Sequence, residues 1–301
     1  RDYAVTGVQT CALPISKKIK KFLNENSLES PIIFTSSPII HSIISEIKNS
    51  SSWYFCLDDY TKFEGAFSSI EFLEKELLKE VDGIFAVSQP LLETKKTVTG
   101  KNFFLPQGVD VNHFARANDN TAKPLQKLSK PIVGFFGLIS AWIDVDLIFK
   151  AAEKLTSANF VVIGKIDNLE MKIPELSNLH FIGAVPFNEL PSYSKNFDVG
   201  LIPFKINELT IAVNPLKLLE YFATGIPVVS TAMPEVTKFG ELVYISDNEE
   251  EFVQCIEKAI NEKNEVLRNK RIETAKKISW EFVSENISQE IEKRELEKSK
   301  R

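Results

Sequence analysis

Along most of the chain, short apolar, β-prone runs alternate with stretches whose apolar residues recur at helical spacing. Ile32–Phe34 is the first such run, and Ile39, Ile40, Ile43, Ile44 and Ile47 follow it three and four residues apart. Trp53–Cys56 repeats the strand signal, and Ser68 with Glu71 makes a capping-box pattern ahead of Leu73, Leu77, Leu78 and Val81. A strand at Gly83–Val87, a helix opened by Ser88 and Pro90, and a strand at Phe103–Leu105 complete this series. Arg116–Lys130 has few large apolar residues and no period, which predicts a linker.

A second series follows. Ile132–Phe136 reads as a strand, Asp144 as the cap of a helix carrying Leu147, Ala151 and Leu155, and Phe160–Ile163 as the next strand. Further strands are predicted at His180–Ile182, Val199–Ile202, Val228–Ser230 and Val243–Ile245. Strands separated by helices imply βαβ units, hence two successive doubly wound parallel-sheet α/β domains with ligands at the carboxyl ends of the strands.

Composition narrows the function. The 301 residues are 44% hydrophobic and 26% charged, which suits a globular chain of two domains. A net charge of −5 gives no basic field for a nucleic-acid backbone. The longest uncharged stretch, Ser30–Ser45, is too polar to span a membrane. Cys11, Cys56 and Cys255 are far apart, and with three His neither a disulfide framework nor a metal cluster is expected; a cytoplasmic setting fits. Val5–Ile15 resembles a translated sequencing-library adapter, so 1–16 is set aside as non-native and an upstream segment is expected to be missing.

The most informative stretch is Asn214–Thr231, NPLKLLEYFATGIPVVST. Asn214 suits an N-cap, Pro215 the first helical position, and Gly225 with Pro227 the stop. Leu218, Leu219 and Phe222 form a buried face, while Lys217, Glu220, Tyr221 and Thr224 fall on another. Lys217 sits in the first turn, where the helix dipole opposes a cation and favours an anion. A phosphate there would relieve the conflict, with Glu220 one turn deeper to accept hydrogen bonds from ribose hydroxyls. The alternative is a surface ion pair between the two. GFFGL at Gly134–Leu138 leads from strand to turn through glycines, but there is neither a GxGxxG nor a Walker A pattern, which argues against dinucleotide oxidoreductases and P-loop NTPases. Asp58 and Asp59 follow a strand at its carboxyl end; they suit hydroxyl binding or general-base work, or else a soluble turn. His41 reads as a packed or surface histidine, and Glu290–Arg301 as a solvated mixed-charge helix end.

Six blocks in order resemble the family 4, or group 1, glycosyltransferases of GT-B fold. They are WYFCLDDY at Trp53–Tyr60, DGIFAVSQPLL at Asp82–Leu92, LPQGVDVNHF at Leu105–Phe114, FIGAVPFNELPSY at Phe181–Tyr193, FDVGLIPF at Phe197–Phe204, and the Asn214–Thr231 stretch. The resemblance implies two Rossmann-like domains: an N-terminal acceptor domain at 17–115, incomplete here, and a nucleotide-sugar domain at 131–280. Residues 116–130 would link them, and a C-terminal helix at 281–301 would cross back to the first. It places Gly137 at the donor diphosphate, Val185 and Pro186 near the nucleobase, Asn214, Pro215 and Lys217 at the diphosphate and sugar, and Glu220 at the ribose. Asp58 and Lys217 are the catalytic candidates. The implied reaction is retaining sugar transfer from a nucleotide-sugar to a glycan or lipid-linked acceptor in bacterial envelope polysaccharide assembly. No metal or other cofactor is expected, and peripheral contact with the cytoplasmic membrane is. Two departures stand out: Ala212 occupies the place of a sugar-contacting glutamate, and Ser140, Ala141 and Trp142 stand where a basic pair is common, leaving Lys217 and Lys165 to supply charge. A non-catalytic sugar-nucleotide binder and a nucleotide-sugar epimerase are the rival readings.

Overall fold

The computed structural model describes residues 15–115, 121–167 and 170–300; the adapter-like segment up to residue 14 and residues 116–120 of the expected linker lie outside them. The described residues divide into two compact units, one formed by those up to Pro106 together with those from Val283, the other by those between Gln107 and Phe282.

Among the described residues the first unit holds four parallel strands, β1 (Ile32–Thr35), β2 (Ser51–Cys56), β3 (Gly83–Ala86) and β4 (Asn102–Phe104), in spatial order β1-β2-β3-β4. Trp53 lies opposite Gly83 across β2 and β3, and a Cβ on that glycine would come within 2.6 Å of the indole. Without one, Trp53 lies flat and stacks on Phe85 at 5.3 Å between ring centroids. Helix Ile70–Glu80 buries Leu73, Leu77 and Leu78 at the expected spacing. Its cap is Ser69, which makes no side-chain bond; the Ser68–Glu71 box does not form because Glu71 turns to Lys75, 2.6 Å away. The C-terminal segment also differs from a solvated face. Arg294 (2.6 Å) and Lys298 (3.0 Å) both grip the Asp82 carboxylate, which accepts a further bond from the Ser52 N–H.

The second unit holds six parallel strands, β5 (Ile132–Phe136), β6 (Asn159–Ile163), β7 (Leu179–Gly183), β8 (Val199–Ile202), β9 (Val228–Thr231) and β10 (Val243–Ser246). Their order, β10-β9-β8-β5-β6-β7, reverses direction between β5 and β8, which makes that junction the topological switch point. Two glycines admit large rings onto this sheet. Phe197 occupies the space above Gly134, and Tyr221 the space above Gly200, each so close that any Cβ would collide. Ala122 and Leu125, within the segment expected to be a linker, are buried in this unit's core, and the unit itself begins earlier, at Gln107.

Candidate functional site

The carboxyl-end loops of four strands are joined edge to edge. The Gly137 N–H donates to Ile163 O and the Gly164 N–H to Gly183 O, both at 2.9 Å, linking the ends of β5, β6 and β7. The Ile139 N–H donates to Lys165 O, and on the other side the Asp144 N–H donates to Pro203 O and the Lys205 N–H to Trp142 O, tying the β5 loop to the segment after β8. Gly137 (φ +138°) and Gly164 (φ +153°) are required here: a Cβ on Gly164 would lie 1.8 Å from Gly137 O. The GFFGL glycines therefore serve two purposes, Gly134 packing and Gly137 the rim. Ser140 and Trp142, at the place of the missing basic pair, belong to a turn closed by the Ile143 N–H on Ser140 O. Asp144 caps helix Val145–Lys154 by accepting from the Leu147 N–H.

Helix Leu216–Thr224 leaves the rim after β8 and ends at Gly225, in the left-handed conformation (φ +80°). Its cap is Pro215, extended at ψ 108°, not Asn214, so the helix starts one residue later than expected and Lys217 is its second residue. The reason is that proline fixes only φ; ψ remains free to carry the chain out of the loop before the helix begins. The polar face also needs correction. Tyr221 is fully buried, with its hydroxyl donating to Gly134 O (3.3 Å) and Leu201 O (3.4 Å), so it belongs to the sheet packing.

Lys217 and Glu220 remain on the open side. The Lys217 ammonium lies 4.7 Å from the centroid of Phe204 and 5.6 Å from that of Phe135, and a Cβ on Gly137 would be 3.5 Å from it. Phe204 is a contributor that sequence reasoning passed over, although it ends the FDVGLIPF block. Glu220 is buried at 8% exposure. Among the described residues no hydrogen bond or salt bridge closes on either head group, so the two do not form the surface ion pair that was the alternative. Burial lowers the Lys217 pKa to about 8 and raises that of Glu220 to about 7, each effect opposed by the charge of the other. Lys165 instead pairs with Asp167 at 2.9 Å on an exposed surface.

Val185 packs against the core after β7, and exposed Pro186 precedes the turn Phe187–Glu189. Beside them Phe187 stacks on His113 (4.4 Å, 10° between planes), a pairing with no signal in the linear pattern. Ala212 is buried in the turn Thr210–Ala212.

In the first unit the aspartate pair separates. Asp59 caps the turn Tyr60–Lys62 and accepts from Lys95 at 3.1 Å, while Lys95 also reaches Glu74 (2.5 Å), itself the acceptor for the Tyr54 hydroxyl (2.9 Å). Burial would raise the Asp59 pKa, but the bonds from Thr61 and Lys95 prevail and hold it low. Half-buried Asp58 has no side-chain partner among the described residues, and burial raises it to about 6.

Residues 130–262 match the family model described as glycosyl transferases group 1. TuaH of Bacillus subtilis (strain 168), whose name assigns it a glycosyltransferase role in teichuronic acid biosynthesis, is 27% identical over 234 residues. That match covers 72% of this chain and 58% of TuaH, so the chain spans less than two thirds of the relative's length. HepE from Anabaena, solved in complex with UDP-glucose, shares the fold with a TM-score of 0.76 at 14% identity, over 93% of this chain and 82% of HepE. An α,α-trehalose 6-phosphate synthase from Burkholderia multivorans gives 0.73 at 12% identity, over 96% and 76%.

Proposed function

We propose that this chain, whose residues 130–262 match the group 1 glycosyltransferase model and whose fold is GT-B, takes a nucleotide-sugar at the β5–β8 switch point. There it passes the sugar, with retention of configuration, to a glycan or lipid-linked acceptor of the bacterial cell envelope. One observation carries the reading: a buried carboxylate and a desolvated ammonium, neither bonded to a side chain among the described residues, stand at a helix N-terminus beside a glycine held at φ +138°. A diphosphate against Gly137 would receive the first N–H groups of helix Leu216–Thr224 and the Lys217 ammonium. In the cleavage step the same groups would stabilise the charge gathering on the departing nucleoside diphosphate without a metal ion. Glu220 would accept from ribose hydroxyls, with Val185 and Pro186 beside the base and Asn214 and Pro215 beside the sugar. Asp58, without a side-chain partner among the described residues, is the candidate for the acceptor hydroxyl.

The TuaH name favours envelope polysaccharide as the product class, and the UDP-glucose held by HepE makes UDP the first nucleotide to test. The buried Ala212 favours a second reading, a binder without turnover, since no carboxylate stands there to contact the transferred sugar. A thermal-shift series over nucleoside diphosphates and their sugars, repeated with excess chelator, tests the first reading. Stabilisation by one nucleotide that survives chelation is expected; stabilisation by none, or only with magnesium or manganese restored, would refute it. Release of labelled sugar to acceptor would then decide between transferase and binder.

A further inference from the structure

A cavity of about 590 Å³ opens within the second unit at the carboxyl ends of β8, β9 and β10. It lies between the starts of helices Val145–Lys154 and Glu249–Ile260 and shares the Phe204 ring with the Lys217 site as a wall. Its volume is in the range of small-ligand pockets. The charge of its lining is unlike that of the Lys217 site. Asp144, Asp146, Asp247 and Glu249 face two lysines, and Lys150 is already bound to Glu249 at 2.5 Å. A phosphate or a uronate would meet a carboxylate surplus there. A metal ion is not suited either, because no three acidic, His or Cys groups converge among the described residues.

What remains is a dispersed set of polar groups: the Asp146 and Asp247 carboxylates and the Lys205 ammonium have no side-chain hydrogen bond or salt bridge among the described residues, although Asp146 lies in the field of Lys150. Between them lie apolar surfaces from Leu147, Phe204 and Ala232. Separated acceptors and a donor around apolar faces match a pyranose ring, whose hydroxyls radiate from a rim and whose C–H faces are apolar. We propose that this cavity is a second, non-nucleotide site that binds a neutral or amino sugar unit of a glycan.

Saturation-transfer NMR and calorimetry on the full chain would use methyl glucoside, glucosamine, glucuronate and, separately, UDP as probes. Binding of the neutral or amino sugar with a Kd on the order of millimolar is expected, with glucuronate weaker by roughly tenfold or more. Ala232→Trp, which fills the cavity, and Asp247→Lys, at an exposed position, should each weaken sugar binding by about tenfold while leaving the UDP response unchanged. Should Ala232→Trp fail to fold, Asp247→Lys carries the test alone. No sugar binding at tens of millimolar, preference for glucuronate, or binding indifferent to Asp247→Lys would overturn the proposal. Because sugar and UDP are read separately, loss of the UDP response alone would count against the nucleotide site and not against this one.

Discussion

Buried Lys95 and half-buried Lys217 are treated in opposite ways. Lys95 is fully answered: Glu74 and Asp59 bind its ammonium, Tyr54 binds Glu74, and the carboxylates raise its pKa against the desolvation that would lower it. Among the described residues Lys217 has only ring faces and a carboxylate beyond salt-bridge reach, and its pKa falls. A buried charge with all its partners in place is part of the scaffold, while one held without partners is costly unless something from outside completes it. The contrast separates a structural cluster at the end of β2 from the proposed ligand site at the end of β5 and β8.

The contrast breaks most sharply under substitution. Lys95→Met should destabilise the fold by about 3–5 kcal/mol, because Glu74, at 2% exposure, would keep a charge with nothing to answer it. Lys217→Met should leave stability unchanged or raise it; denaturant unfolding compares the two. Lys217→Met and Glu220→Gln should each weaken nucleotide binding by about 1–3 kcal/mol through lost charged hydrogen bonds to the ligand.

Titration sharpens the contrast further. The folded-state pKa of Glu220 is about 7 against an ordinary 4.5, so the native state binds the extra proton across that interval. Stability is then fully present below the ordinary pKa and declines as pH rises from about 4.5 to 7. Asp58, raised to about 6, adds a similar decline between its ordinary value and 6. Asp59 runs the other way: its lowered pKa gives stability above the ordinary carboxylate value that is lost as pH falls through the folded one. Unfolding free energies measured from pH 4 to 8 should therefore fall less steeply in Glu220→Gln than in the unaltered chain. Lys165→Ala should have the smallest effect, within about 0.5 kcal/mol on stability and none on nucleotide affinity, since its partner is an exposed neighbour.

The alternation of apolar runs locates all ten strands of the described residues to within two residues at either end, because buried parallel strands are short and almost wholly apolar. The glycines and prolines around the Asn214 helix likewise mark where the backbone turns. Errors come where a residue's role depends on distant partners. Tyr221 shares a helical face with Lys217 by spacing, yet the bare surface of Gly200 draws its ring into the sheet. Asp58 and Asp59 look equivalent until Lys95, thirty-six residues away from Asp59, selects one of them. Arg294 and Lys298 read as solvated until the fold brings Asp82 beside them. Long-range pairing leaves no periodic trace, so charge placement was the least legible layer.

In the proposed function Lys217 and Glu220 are incomplete without a nucleoside diphosphate. Isothermal calorimetry of UDP binding near pH 8, in buffers of different ionisation enthalpy, tests this most directly. A diphosphate placed on Lys217 would raise its depressed pKa, so binding should take up protons, and Lys217→Met should abolish that uptake and weaken affinity. UDP binding that takes up no protons and is undiminished in Lys217→Met and Glu220→Gln would contradict the account.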